Sequence, residues 1–479
     1  MPFVSRLESD AELDVARDLW QQSRISEAET ALYGVLESTP RREDAALLLA
    51  EILRSQGRFD AASETLRELC RANEFEPSLS LRAAHFVRQC DRHGIASEIC
   101  EGALAHCAPP PAELLAMAGH VARESGNFAA ARVHYLAALD AGIDLERHHV
   151  LSALANTRRY ADAADPDLAR CEAYFRNAAY SARSRSSAGF GVAKIRNDLC
   201  DYRSAARVLR EANAMVHGAQ PWDAVAWRRF VEARTHDHIA VIESASDGSF
   251  VPVFVVGVPR SGTTLTASLL ARATGAHDRG ELRALRFIAD RLTAGGHSAS
   301  PAALTEAANL YRALAVQDDA PARWYIDQDP LNFRYLDIAA AMFPQAKVIH
   351  LRRDARDTAL SLWSQDFAHP DMAFACDFED MAAYMEGHDA LMQHWKRTLR
   401  IPIHELDYET LVTDTDTTLA SLCDFIGAPV EKQGRSNESA PVRSASVWQA
   451  RQPVYSTSIG RWRHYAPYVP ELARFGERR

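Results

Sequence analysis

Residues 251–264 read V-P-V-F-V-V-G-V-P-R-S-G-T-T, and no other stretch restricts the fold of this chain so strongly. A run of Val and Phe without polar alternation predicts a short strand buried on both faces of a parallel sheet. A turn from Gly257 to Gly262 follows. Then comes L-T-A-S-L-L-A-R, which predicts a helix with Leu265, Leu269 and Leu270 on its inner side. Strand, glycine-bounded turn and helix start together form an anion cradle, because unpaired N–H groups and the positive end of the helix dipole converge there.

The spacing is that of a nucleotide-binding loop, G-x-x-x-x-G, but Thr263 stands where a Lys would serve the β- and γ-phosphates. The cation comes earlier, in Pro259-Arg260, and hydroxyls come from Ser261, Thr263 and Thr264 around Gly262. Such a loop suits one compact anion held without a metal. A phosphate bearing a transferable sulfonate fits it better than a triphosphate does. The bland alternative is a generic turn opening a helix.

P-R-S-G-T-T resembles the 5′-phosphosulfate loop of sulfotransferases that use 3′-phosphoadenosine 5′-phosphosulfate (PAPS). That resemblance implies a second site, for the 3′-phosphate, and residues 346–362 carry its pattern: A-K-V-I-H-L-R-R-D-A-R-D-T-A-L-S-L. In the family an Arg at the strand end and a Ser eight residues later grip the phosphate. Those positions are Arg353 and Ser361, and Arg offers an oxyanion a fork of donors. Read without the resemblance, R-R-D-A-R-D is a solvated charge cluster at a helix start.

The segment H-D-R-G-E-L-R-A-L resembles the protein-tyrosine sulfotransferase branch, whose catalytic Glu follows the loop Arg by 21 residues. Glu281 follows Arg260 by 21. The resemblance implies a general base that takes a hydroxyl proton, against the alternative of a surface Glu opening a helix. Gln328, in W-Y-I-D-Q-D-P, stands where relatives carry a Lys that stabilises the leaving group. Gln donates a hydrogen bond but no charge, so either Arg260 carries that role alone, or a cation arrives from elsewhere, or transfer is slow. Tyr408 lies in a stretch similar to a family strand near the nucleotide. Ser446 and Arg461 fall where relatives place a Ser and a basic residue around it. Trp462 and Tyr465 are expected in the core. The resemblance thus implies a catalytic group of Glu281, Arg260, Gln328 and Ser446. It implies a donor-binding group of Pro259 to Thr264, Arg353, Ser361, Tyr408, Ser446 and Arg461. PAPS is the co-substrate, 3′,5′-adenosine bisphosphate (PAP) the product, and no metal is implied.

Upstream, residues 10–240 predict helix throughout and a degenerate repeat. Its large residues are Ile25, Phe59, Ile95, Phe128, Tyr160 and Tyr202, spaced by 34, 36, 33, 32 and 42 residues. This is the tetratricopeptide period, with small Ala residues where helices cross closely. The expected architecture is an α-helical tetratricopeptide-like solenoid over 10–240, then a P-loop-like α/β sulfotransferase domain with a parallel sheet over 250–479. An accidental period in an irregular helical domain is the alternative. A solenoid presents a concave surface suited to an extended acceptor. The whole resembles bacterial proteins that join tetratricopeptide repeats to a sulfotransferase domain. Residues 433–446 predict a loop able to order over the cofactor.

A net charge of −10 argues against general nucleic-acid binding, which needs clustered Lys and Arg. The eight cysteines include no C-x-x-C pair and predict reduced, mostly buried thiols in a cytoplasmic protein. No apolar run approaches the ~18 residues of a membrane span, and the first residues carry no signal-peptide pattern. A homodimer stays open, as does the acceptor: peptide tyrosine, sugar hydroxyl or small phenol. A non-catalytic repeat scaffold and a P-loop phosphotransferase are the other readings.

Overall fold

The computed structural model describes residues 2–22, 24–236, 248–293, 300–319, 321–367, 369–430 and 457–476. Among these, helix follows helix from Pro2 to His236, and the first strand begins at Val251. The chain divides into two compact units. One is Met1–Ile143 with Ala313–Ala320; the other is Asp144–Arg312 with Pro321–Arg479. The sequence boundary at 240–250 marks the change from helices to strands, whereas the compact units part between Ile143 and Asp144.

In the first unit the helices run as hairpins, including Ile25–Ser38 with Glu43–Ser55, and Ala112–Glu124 with Phe128–Asp140. Close crossing is visible at Gly119, where an added Cβ would lie 2.6 Å from the Tyr135 ring. Ala28, Ala62 and Ala131 are fully buried. Replacing Ala62 with Leu should therefore overpack the helix crossing and lower stability by about 1–3 kcal/mol, read as a lower denaturant midpoint at unchanged slope. The segment Ala313–Ala320 packs within this unit. Asp318 Oδ2 accepts from the Asp60 N–H at 2.5 Å, and Arg92 donates to Gln317 Oε1 at 3.2 Å. A side chain at Gly57 would collide with the Ala313 carbonyl.

Four of the six repeat positions open a helix: Ile25, Phe59, Phe128 and Tyr202, while Ile95 is the third residue of His93–His106. Tyr160 departs from this pattern. It lies in the link between Val150–Ala155 and Pro166–Arg176, because Asp165 and Pro166 set the helix start further on. Its ring is buried, and its hydroxyl donates to Asp167 Oδ2 at 2.8 Å.

The second unit is built on five parallel strands: β1 (Val251–Gly257), β2 (His277–Asp278), β3 (Trp324–Asp327), β4 (Lys347–Arg352) and β5 (Ile403–Asp407). Their order is β2-β3-β1-β4-β5. β1 is buried along its whole length, as its unbroken apolar run predicts. On one face Val253, Val255, Ile349 and Leu351 pack with Leu269, Leu270 and Leu422 from the helices Thr263–Thr274 and Thr415–Ile426. On the other, Phe254 meets Tyr311, and His350 meets His388 of the helix Phe378–Thr398. β1 and β4 are neighbours in register from Val253–Lys347 to Gly257–Leu351, so the loops leaving their carboxyl ends lie side by side. That is the place where open α/β sheets bind ligands. Of the eight free cysteines, Cys200 alone is exposed, and five are buried. Among the described residues no helix is long and apolar enough to cross a membrane.

Candidate active site

The loop after β1 is held open by backbone geometry. Arg260 has φ 75° and Gly262 φ 112°, so the chain turns through the left-handed region twice before the helix at Thr263. Two glycines are demanded by space. A Cβ at Gly257 would lie 2.7 Å from the Leu351 carbonyl oxygen, and one at Gly262 would lie 2.5 Å from the Tyr408 ring. The Tyr408 ring thus lies directly against the turn of the loop. Ser261, Thr263 and Thr264 are buried, and Ser261 Oγ has no partner. A buried hydroxyl without a partner costs stability unless a ligand satisfies it. Pro259, in the same loop, is buried.

The second anion element is wired to the first. Arg260 Nε donates to Ser361 Oγ at 3.1 Å, and Arg353 Nη1 donates to the Arg260 carbonyl at 2.9 Å. Arg353 Nη2 reaches the Ser458 carbonyl at 2.9 Å, its guanidinium lies 4.6 Å over the Tyr408 ring, and its Nε is buried without a partner. The Tyr408 hydroxyl and Ser458 Oγ are 2.7 Å apart. The structure therefore brings Arg260, Ser261, Gly262, Arg353, Ser361 and Tyr408 into one constellation.

Asp357, which reads in sequence as an ordinary acid of a helix first turn, has a specific task. Its carboxylate accepts from the N–H groups of Gly460 at 2.5 Å and Trp462 at 2.8 Å. A segment some hundred residues downstream is thereby pinned beside Arg353. Trp462 lies under the Arg356 guanidinium at 4.1 Å, and Tyr465 is fully buried, as expected. Arg461 lies on this segment with its guanidinium donating to Asn197 Oδ1 at 2.9 Å. Ser446 and the loop expected over 433–446 lie outside the described residues.

On the β2–β3 side four acids cluster. Asp278 accepts from the Gly280 N–H at 2.9 Å, Asp327 accepts from the Tyr311 hydroxyl at 2.9 Å, and Asp329 caps the turn Pro330–Tyr335. Desolvation pushes Asp278 up to about 6 and Asp327 up to about 7, the latter helped by the Asp329 charge. Glu281 is pushed up to about 8, first by desolvation and then by the Asp329 carboxylate, with Arg283 and Arg260 opposing. That Arg260 acts on Glu281 at all places the acid within electrostatic reach of the anion loop. Gln328 is buried. Its Nε2 is 3.5 Å from Asp278 Oδ1, and its Oε1 has no partner. Among the described residues no group of His, Cys, Asp or Glu is arranged to hold a metal ion.

A parallel sheet with a glycine-bounded loop after β1, an Arg fork after β4 and a perturbed acid on the β2–β3 side is an arrangement able to hold an anion and to accept a proton. Comparison with known proteins narrows the class. Residues 252–432 match the model of the sulfotransferase family, and residues 19–84 match a tetratricopeptide repeat model. The chain therefore joins a tetratricopeptide-repeat region to a sulfotransferase-family domain. A protein of Aquifex aeolicus (strain VF5), described as uncharacterized, is 31% identical over 332 residues; the match takes in 64% of this chain and 43% of that relative. The chain thus spans less than half the length of that relative. Protein-tyrosine sulfotransferase 1 of Danio rerio is 24% identical over 269 residues, covering 47% of this chain and 71% of the relative. Among solved structures, the sulfotransferase domain of the Synechococcus PCC 7002 olefin synthase aligns at 20% identity and a TM-score of 0.34, over 50% of this chain and 99% of that one.

Proposed function

We propose that this protein transfers a sulfonate group from PAPS to a hydroxyl acceptor. The repeat region recruits or positions that acceptor, and the chemistry takes place in a cytoplasmic setting. One observation carries the reading. Two anion-binding elements from different parts of the chain are tied into one unit by Arg260 Nε to Ser361 Oγ and Arg353 Nη1 to the Arg260 carbonyl. A donor with phosphates at both the 5′ and 3′ positions fits a paired site of this kind, and a triphosphate does not call for the second element. Pro259 to Thr264 hold the 5′-phosphosulfate end. Arg353 and Ser361 hold the 3′-phosphate, and Tyr408, Ser446 and Arg461 flank the nucleoside.

In the proposed reaction the acceptor oxygen attacks sulfur in line, the S–O bond to the 5′-phosphate breaks, and the acceptor proton passes to Glu281. The negative charge leaving with PAP falls on the bridging oxygen. Arg260 is the cation nearest in sequence to that task, with Gln328 able to donate a neutral hydrogen bond. No metal enters the balance.

The donor assignment predicts that PAP binds far more tightly than AMP or ATP. A charge-assisted hydrogen bond is worth about 1.5–3 kcal/mol, so loss of the 3′-phosphate contacts should cost AMP at least about tenfold in affinity. Calorimetry with the three nucleotides decides it, and equal affinity for PAP and AMP overturns the assignment. Transfer of label from 35S-PAPS to hydroxyl acceptors then tests the activity itself.

Gln328 supports a sharper expectation. A Lys at 328 would find the Asp278 carboxyl where Gln328 Nε2 now sits 3.5 Å away, and the pair would neutralise itself. Gln328→Lys should therefore leave the single-turnover rate unchanged or lower it. A faster variant would show that the leaving oxygen lacks a cation in the native protein.

A further inference from the structure

We infer that Asn197, on a helix far upstream in the sequence, is a positioning residue for donor binding, an inference that rests on the PAPS reading above. Asn197 belongs to the helix Ala182–Asp198, which is paired with Tyr202–Ala219 in the same compact unit as the sheet. Nothing in its surroundings along the sequence suggests a role in binding.

Its amide oxygen is the anchor of the segment 458–465. Asn197 Oδ1 accepts two hydrogen bonds, from Arg461 Nη2 at 2.9 Å and from the Tyr465 hydroxyl at 2.9 Å. Arg has only donors, so the oxygen and not the nitrogen of the amide must face it. Next to this anchor the Tyr202 ring stacks on His464 at 4.9 Å and 13° and meets Tyr465 edge-on at 5.3 Å.

The other end of the same segment is built into the 3′ element. Ser458 gives its carbonyl to Arg353 and shares a hydroxyl–hydroxyl hydrogen bond with Tyr408, while Gly460 and Trp462 give their N–H groups to Asp357. Gly460 sits at φ 71°, and a side chain there would collide with the Arg463 guanidinium. So the segment is a strap, fastened to Arg353 and Asp357 on one side and to Asn197 on the other. Arg353 directs two of its nitrogens at backbone carbonyls, one of them on the strap. Letting go of the strap removes one of the two contacts that aim the guanidinium.

Asn197 touches neither donor nor acceptor. Its effect is on how well Arg353 and the strap are pre-arranged, which governs donor affinity and not the chemical step. Asn197→Ala in the full chain should weaken PAP binding about tenfold, the range expected for loss of hydrogen bonds to charged and hydroxyl donors. Turnover at saturating PAPS should stay within about twofold. Asn197→Asp keeps both acceptor positions and should restore PAP affinity to within about threefold of the native protein. A double-mutant cycle of Asn197→Ala with Tyr465→Phe should be non-additive, because both changes remove the same hydrogen bond to the strap.

PAP calorimetry and donor kinetics on these variants are the test. Native PAP affinity in Asn197→Ala overturns the inference and leaves the donor reading intact. Equal losses in Asn197→Ala and Asn197→Asp, or a fall in turnover with unchanged affinity, also overturn it. If the native protein itself does not bind PAP, the donor reading falls and the inference falls with it.

Discussion

Glu281→Gln should lower turnover by about 10²–10⁴-fold while leaving PAP affinity near its native value, since general-base assistance is typically of that size. The sign of the accompanying pH dependence follows from the site. A base must be deprotonated to accept the acceptor proton, and burial beside Asp329 pushes Glu281 up to about 8. In the free protein at neutral pH the carboxyl is mostly protonated. kcat/KM should therefore rise with pH and level off above about 8, and the rise should vanish in Glu281→Gln. The raised value also makes Glu281 a stronger base than an ordinary surface carboxylate once it is ionised, which suits a proton bound for transfer from an alcohol or phenol. The same linkage has a stability side. A carboxyl raised in the folded state favours folding while it is protonated, and that advantage is lost as pH climbs through the folded value. A pH-independent kcat/KM, or native turnover in Glu281→Gln, removes Glu281 from the role of base.

Arg353→Ala should weaken PAP binding by about 10²-fold or more. Two losses combine. The 3′-phosphate loses a charged partner, worth about 1.5–3 kcal/mol. The carbonyls of Arg260 and Ser458 also lose the guanidinium that ties loop to strap at 2.9 Å each. Arg353→Lys should not repair the defect, because an ammonium at the end of a flexible stem cannot span two carbonyls and a phosphate with fixed geometry. AMP, lacking the 3′-phosphate, should be affected much less than PAP. Titration of native and variant protein with both nucleotides separates the cases, and a Lys variant with native PAP affinity would show that charge alone suffices.

What could be read from the sequence was local. The β1 run, the glycines of its loop and the Arg353–Ser361 spacing each belong to one strand–turn–helix, so their pattern survives in a short window. The sequence predicts strands at 252–257, 323–327, 346–351 and 401–406, and these lie within a few residues of β1, β3, β4 and β5. β2 escaped because two residues, His277 and Asp278, are too few to show a period. The helix Pro301–Val316 was legible, while Ala284–Thr293 was not. The stretch 332–342 predicts a single helix, whereas the structure divides it, with its first turns tightened into Pro330–Tyr335 behind the Asp329 cap. Asp357, Ser458 and Asn197 were invisible for a different reason. Each has a partner more than a hundred residues away, and an acid in the first turn of a helix already has a sufficient local explanation in the dipole. Arg461 carried a family signal but not the identity of its partner. The repeat period likewise found most helix starts, and it failed at Tyr160, where a Pro and its capping Asp outweigh the aromatic wedge.

The excursion of Ala313–Ala320 into the first unit bears on how such a protein can be rearranged by recombination. The backbone crosses between the units three times, after Ile143, before Ala313 and after Ala320. Residues 1–143 are consequently not a cassette that a single crossover can exchange. A foreign repeat array joined at 143 would bring no counterpart of Gly57, Asp60 or Arg92 for Gln317 and Asp318 to meet. New repeats would have to arrive with a matched replacement for an eight-residue insert lodged in the middle of the transferase sequence. Diversification at this junction is then expected to proceed by point substitution within the repeats and not by swapping them whole.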